Sequence, residues 1–84
     1  MTQLVTVEVR VSLKPKALDP EGETVKRALH RLGYEEVEDV RTAKIYRIEL
    51  DINDEEEAVE LVDEMCRRLL ANPVVEDYEI EVVE

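Results

Sequence analysis

The chain has no tryptophan and no phenylalanine, so its core must be built from Val, Leu and Ile with three tyrosines in support. It has a single cysteine, Cys66, which excludes an internal disulfide and with it the stapled folds of small secreted proteins. With one histidine, His30, no His-rich metal set can form. The two glycines, Gly22 and Gly33, are too few and too far apart for a phosphate-cradling loop. Positive charge is scarce: 11 Lys and Arg stand against 22 Asp and Glu, a formal net charge of −11. Such a surface repels nucleic-acid phosphates and anionic membranes alike. No apolar run approaches the ~18 residues that a membrane-spanning helix needs. The first residues alternate instead of forming a signal-peptide core, so the expected location is the cytoplasm.

What is present is enough for one domain, residues 1–84. A chain of this length buries only about 60–65% of the surface its unfolded form exposes, which leaves a small margin of stability. Pairing with another folded chain adds to that margin by mass action.

The first clear element runs from Leu4 to Leu13. Val5, Val7, Val9, Val11 and Leu13 alternate with Thr6, Glu8, Arg10 and Ser12, the period-two pattern of a half-buried strand. Asp19 then reads as a helix N-cap, with Pro20 at the first helical position and Glu21 and Glu23 in the first turn. Val25, Ala28, Leu29 and Leu32 form one apolar stripe, and Gly33 supplies the left-handed stop. Gly22 in the first turn costs about 1 kcal/mol relative to Ala. A loosely wound helix start is the simpler account of it, and a close backbone approach the alternative.

Residues 35–52 carry strand signals of unequal clarity. Tyr46, Ile48, Leu50 and Ile52 alternate with Arg47, Glu49 and Asp51, while Val37 and Val40 point to an earlier strand. The intervening Arg41-Thr42-Ala43-Lys44 lacks the Asn-Gly or Gly-Gly of a tight turn. A hairpin is expected here; the alternative is one long bent strand, in which Lys44 shares a face with Tyr46 and lies beyond the covered core. A second helix follows, capped by Asn53 or Asp54, with Glu57 at capping-box spacing from Asp54 and a stripe of Ala58, Leu61, Val62, Met65 and Leu69. The stretch Leu69 to Tyr78 is the most specific in the chain. Pro73 pushes Asn72 out of the helical region, so the helix should end near Ala71, before a last strand from about Val75 to Val83. The order is βαββαβ, which implies an α+β two-layer sandwich of ferredoxin-like type, an antiparallel sheet with both helices on one face.

The catalytic inventory is poor. His30 fits a solvated helix position better than a general base, and Cys66 fits a small buried hydrophobe better than a reactive thiol. Glu55, Glu56, Glu57 and Glu60 cluster at a helix start, where the backbone dipole favours carboxylates. No metal-ligand spacing appears. Arg41, Lys44 and Arg47 are concentrated within seven positions of an otherwise acidic chain. They serve either cross-strand ion pairs or a partner-facing patch at the hairpin tip.

Leu18-Asp19-Pro20-Glu21-Gly22, Leu32-Gly33-Tyr34, Val40-Arg41-Thr42-Ala43-Lys44 and Glu64-Met65-Cys66 running into Leu69 to Tyr78, taken together and in order, resemble the PurS family. This is the small subunit of phosphoribosylformylglycinamidine synthase, an ATP-dependent carbon–nitrogen ligase of purine biosynthesis. One departure is Ala43, where the family commonly has Gly before the lysine. The resemblance implies a non-catalytic chain that bridges a glutaminase subunit (PurQ) and a synthetase subunit (PurL) and helps enclose the ammonia path. It implies self-association as a dimer or tetramer, no cofactor on this chain, and ATP with magnesium and glutamine used by the complex. The positions expected to shape or contact interfaces are Asp19, Pro20, Gly22, Arg41, Lys44, Asn72, Pro73 and Tyr78. For Asp19, Pro20, Asn72 and Pro73 helix punctuation is an equally good account. Arg41 and Lys44 stand out because no folding requirement is evident for two cations there. A free-standing metabolite-binding module at a dimer interface is the alternative function; an acylphosphatase-like hydrolase lacks its anion loop here.

Overall fold

The computed structural model describes residues 4–83. Three strands, β1 (Leu4–Leu13), β2 (Ala43–Asp51) and β3 (Glu76–Val83), form one antiparallel sheet in the order β2-β1-β3. Helix α1 (Pro20–Arg31) follows β1, and α2 (Glu55–Met65) follows β2 and continues into a five-residue π-helical turn, Cys66–Leu70. The register places Val9 between Tyr46 and Ile80, and Val11 between Lys44 and Tyr78, so these six side chains share one face.

That face carries the core. Val7, Val9 and Val11 are buried with Ala58 and Val62 of α2, with Cys66 of the π-helical turn and with Ala71 just beyond it. Each fully buried valine contributes about 1.5–3 kcal/mol by the area it removes from water. The other face presents Glu8, Arg10, Glu49, Asp77, Glu79 and Glu81 to solvent or its margin, as the alternation predicts.

The α+β class and the antiparallel sheet are as expected from the sequence, and the βαββαβ plan is followed with one member changed. No strand forms around Val37 and Val40, so there is no hairpin. The backbone of residues 34–40 is bound to α1 instead: the Tyr34 amide donates to the Leu29 carbonyl at 3.0 Å, and His30 Nε2 lies 2.7 Å from the Val37 carbonyl oxygen. His30 is therefore half-buried and hydrogen-bonded, not a free solvated side chain.

The helices also differ from each other in a way the pattern does not announce. Helix α2 packs on β1 and β3. Helix α1 has no comparable packing on any strand, and none of its residues belongs to the core or to the apolar side chains packed around it. The two helices thus do not share one covered sheet face within the protomer. The molecule is long, 53 × 27 × 14 Å, with a radius of gyration of 16.6 Å. A compact chain of this length has a radius of about 12 Å.

Local signals account for the ends. Asp19 caps α1 by accepting the Gly22 amide at 2.9 Å, and Gly33 takes φ 102°. Asp54 caps α2 through the Glu56 amide at 2.9 Å, so the capping box with Glu57 is not the arrangement used. The helical run ends at Ala71, as Pro73 requires, but its last turn widens to π geometry.

Candidate functional site

Most of the residues singled out by the sequence gather at one end of the sheet, where β1 ends and β2 and β3 begin. Asp19 is the organising group, and at 6% exposure it is the one buried charged residue among those described. Besides capping α1, its carboxylate accepts the Thr42 backbone amide at 2.7 Å and the Thr42 hydroxyl at 2.9 Å. The Gly22 and Thr42 amides, followed by the Thr42 hydroxyl and the Arg41 charge, hold its pKa below the ordinary value against the opposing effect of desolvation.

Pro20 occupies the first helical position and Gly22 lies under the passing chain. A Cβ on Gly22 would collide with the Val40 carbonyl oxygen. The close-approach account of Gly22 is the correct one, and the loosely wound helix start is not. Arg41 has a folding role after all: its guanidinium donates to the Ala17 carbonyl at 3.0 Å and the Lys14 carbonyl at 2.9 Å. One planar fork therefore closes the β1–α1 connection. Arg47 forms the cross-strand ion pair with Glu8 at 3.2 Å.

Lys44 is different. It is exposed on the apolar face, 5.7 Å above the Tyr46 ring, and has no carboxylate partner among the described residues. It stands at the edge of an open cleft of about 520 Å³ that Val11, Leu13, Asp19, Glu21 and Thr42 also line.

Asn72, Pro73 and Tyr78 belong to a neighbouring cluster. The Asn72 side chain accepts the Val74 amide at 3.0 Å, its own amide donates to Glu76 Oε1 at 2.7 Å, and its carbonyl receives Glu76 N–H at 2.7 Å. This turn aims β3 at β1, and the Lys14 amide seals the junction on the Val75 carbonyl at 2.8 Å. Leu69 and Val74 are left exposed beside it. Tyr78 donates its hydroxyl to Asp63 at 2.5 Å, which with burial raises the phenol pKa. Cys66 is buried, and desolvation first, then the Asp63 charge, pushes its thiol up.

Three participants escaped the sequence pattern: Thr42, Val40 and Asp63. Each acts through a partner 15 to 23 positions away or through its backbone. No periodicity encodes such pairs. Among the described residues no group of three His, Cys, Asp or Glu side chains is placed to hold a metal ion, and no helix is long and apolar enough to cross a membrane. What the end of the sheet offers is shape, hydrogen-bonded backbone and an exposed cation, Lys44, beside the cleft.

Residues 6–84 match the sequence profile of the PurS family, described as phosphoribosylformylglycinamidine (FGAM) synthase. The phosphoribosylformylglycinamidine synthase subunit PurS of Bacillus subtilis is 50% identical over 78 residues, covering 93% of this chain and 92% of that protein. The subunit of the same name from Methanocaldococcus jannaschii is 49% identical over 74 residues, 88% of this chain and 89% of that one. A chain of the PurLQS structure from Thermotoga maritima superposes with a TM-score of 0.87 at 33% identity, covering 96% of this chain and 99% of its own.

Proposed function

The chain belongs to the PurS family, and on that footing we propose that it is the small, non-catalytic subunit of a glutamine-dependent phosphoribosylformylglycinamidine synthase. Its work is to hold a glutaminase and an ATP-dependent synthetase together and to help enclose the ammonia path between them. The observation that carries this is the match along nearly the whole chain, including likeness to a chain of a PurLQS assembly. The physical character of the molecule supports it: the polar groups at the sheet end are spent on one another, and the surface is large for the core.

In this reading ATP, magnesium and glutamine are handled by the other subunits, and the assembly is cytoplasmic. Lys44 and the exposed Leu69 and Val74 beside the Asn72–Pro73 turn supply contacts to neighbours, while Asp19, Pro20, Gly22, Arg41 and Tyr78 hold the surface in shape. The chain also associates with itself, as a dimer or a dimer of dimers, because so extended a protomer leaves apolar surface to cover.

Reconstitution tests it. Synthetase and glutaminase should convert the formylglycinamide ribonucleotide with glutamine only when this chain is added. Turnover with ammonium salts in place of glutamine should depend on it much less. Equal glutamine-dependent rates with and without the chain refute the assignment.

A further inference from the structure

Helix α2 ends in a backbone register that turns a leucine out of the core. Three turns of α-helix take about 11 residues, so counting from the buried Ala58 the residue in phase with the core is Leu69. The sequence accordingly places Leu69 in the apolar stripe of that helix. The structure departs from this: Leu69 is 83% exposed, and Leu70 takes the place beside the core. The wide turn is the cause. The Ala71 amide donates to the Cys66 carbonyl, five positions back, at 3.0 Å, so the turn holds one residue more than an α-turn does. Leu70 rotates in, and Leu69 rotates out.

The displaced leucine has company. Pro73 and Val75 are exposed just beyond it, and Val74 is 79% exposed. One exposed leucine needs no explanation. Four apolar residues left in solvent on the two sides of a single turn do. That turn is preformed: Asn72 Oδ1 accepts the Val74 amide at 3.0 Å, and the Glu76 amide donates to the Asn72 carbonyl at 2.7 Å. Little conformational freedom is therefore left to lose when another surface docks on it. Arg67 and Arg68 immediately precede Leu69. Arg67 donates through Nε to Asp63 at 3.1 Å, and Arg68 through Nη1 to Glu64 at 3.3 Å. The other N–H groups of both guanidinium forks have no acceptor among the described residues.

We propose that Leu69 and Val74 anchor a contact with one of the two enzyme subunits, seated in an apolar pocket on that subunit whose edge carries carboxylates. This rests on the chain being a subunit of the synthase and deepens that reading. The apolar pair supplies the buried centre of the contact, and Arg67 and Arg68 supply its polar rim. In such an arrangement a few central residues carry most of the binding energy. The arginines also argue against a second copy as the occupant. Two copies meeting through this surface about a two-fold axis bring Arg67 and Arg68 of one protomer toward those of the other, and like charges repel. Carboxylates across the contact satisfy the same groups, two hydrogen bonds to a fork. The wide turn then serves more than the fold, because an unbroken α-helix buries Leu69 and leaves no anchor here.

Titrating the chain into synthetase and glutaminase, with glutamine, ATP, magnesium and the formylglycinamide ribonucleotide, tests it. Leu69→Ser and Val74→Ser change exposed side chains, so circular dichroism and urea midpoints should match the wild type. Each should raise the concentration that gives half-maximal glutamine-dependent turnover at least about tenfold. Leu69→Met, which keeps an apolar anchor, should titrate close to the wild type. Arg67→Gln combined with Arg68→Gln should raise that concentration about threefold and flatten its dependence on added salt. Sedimentation equilibrium should show self-association unchanged in every variant. Serine variants that titrate like the wild type overturn the proposal. So do serine variants whose self-association is lost, since the occupant is then a second copy. In both cases the wild type still stimulates turnover and the subunit assignment stands. A wild type that stimulates nothing refutes that assignment, and this contact with it.

Discussion

The Asp19 carboxylate accepts a hydrogen bond from the Thr42 backbone nitrogen, 23 positions further along the chain, at 2.7 Å, and in doing so fastens the first turn of α1 to the start of β2. With the Gly22 amide on the same carboxylate, one side chain sets both the beginning of the helix and the place where the helix is held. The orientation of α1, and whatever assembles on it, depends on this group staying ionised.

Acid should therefore loosen the molecule in a particular window. The folded-state pKa of Asp19 lies below the ordinary 3.8. Its contribution to stability is then complete above that ordinary value and is lost as pH falls through it toward the folded value. Thermal unfolding of the wild type and of Asp19→Asn, measured between neutral pH and pH 2, should show a steeper acid loss in the wild type. Parallel curves would remove Asp19 from the account.

Gly22→Ala and Gly33→Ala should both destabilise, for unlike reasons. The first drives a methyl group into the Val40 carbonyl and must separate α1 from the following chain, at a cost of about 2–4 kcal/mol. The second meets no atom within 4 Å but strains a backbone at φ 102°, at about 1–2 kcal/mol. Urea unfolding midpoints should rank wild type above Gly33→Ala and Gly33→Ala above Gly22→Ala.

Arg41→Ala should cost about 1–2 kcal/mol, since two charge-assisted bonds to carbonyls are lost at an exposed site. Arg41→Lys should recover only part of it, because an ammonium group cannot span both carbonyl oxygens as the fork does. Full recovery in denaturant titrations would show that charge alone matters there.

Cys66 should react with a thiol reagent only through opening of the fold. It is fully buried and its pKa is raised, so the thiolate is both rare and covered at neutral pH. Labelling should be slow in buffer and fast in denaturant; equal rates would contradict the burial.

Much of the architecture is legible in the order of residues. β1 spans the predicted Leu4–Leu13, because an alternating valine row can satisfy a half-covered sheet in only one register. The cap at Asp19, the stop at Gly33 and the break before Pro73 are equally plain, since each follows from the dihedral and hydrogen-bond limits of a few adjacent residues, whereas the sequence leaves the second cap between Asn53 and Asp54 and the structure takes Asp54. The stripe on α1 was correctly read as apolar, but periodicity specifies a face and not its partner.

What the linear order determined, then, is local: which segments are helix or strand, where they end, and which side of each avoids water. Tertiary structure alone decided that Val37 and Val40 follow α1 rather than join the sheet, that Gly22 makes room for a carbonyl, that Arg41 bridges two backbone oxygens, and that α1 leaves its own sheet uncovered. Those outcomes turn on contacts between groups far apart in the chain, where two near-equal ways of burying the same residues are separated by a few hydrogen bonds that no single segment contains.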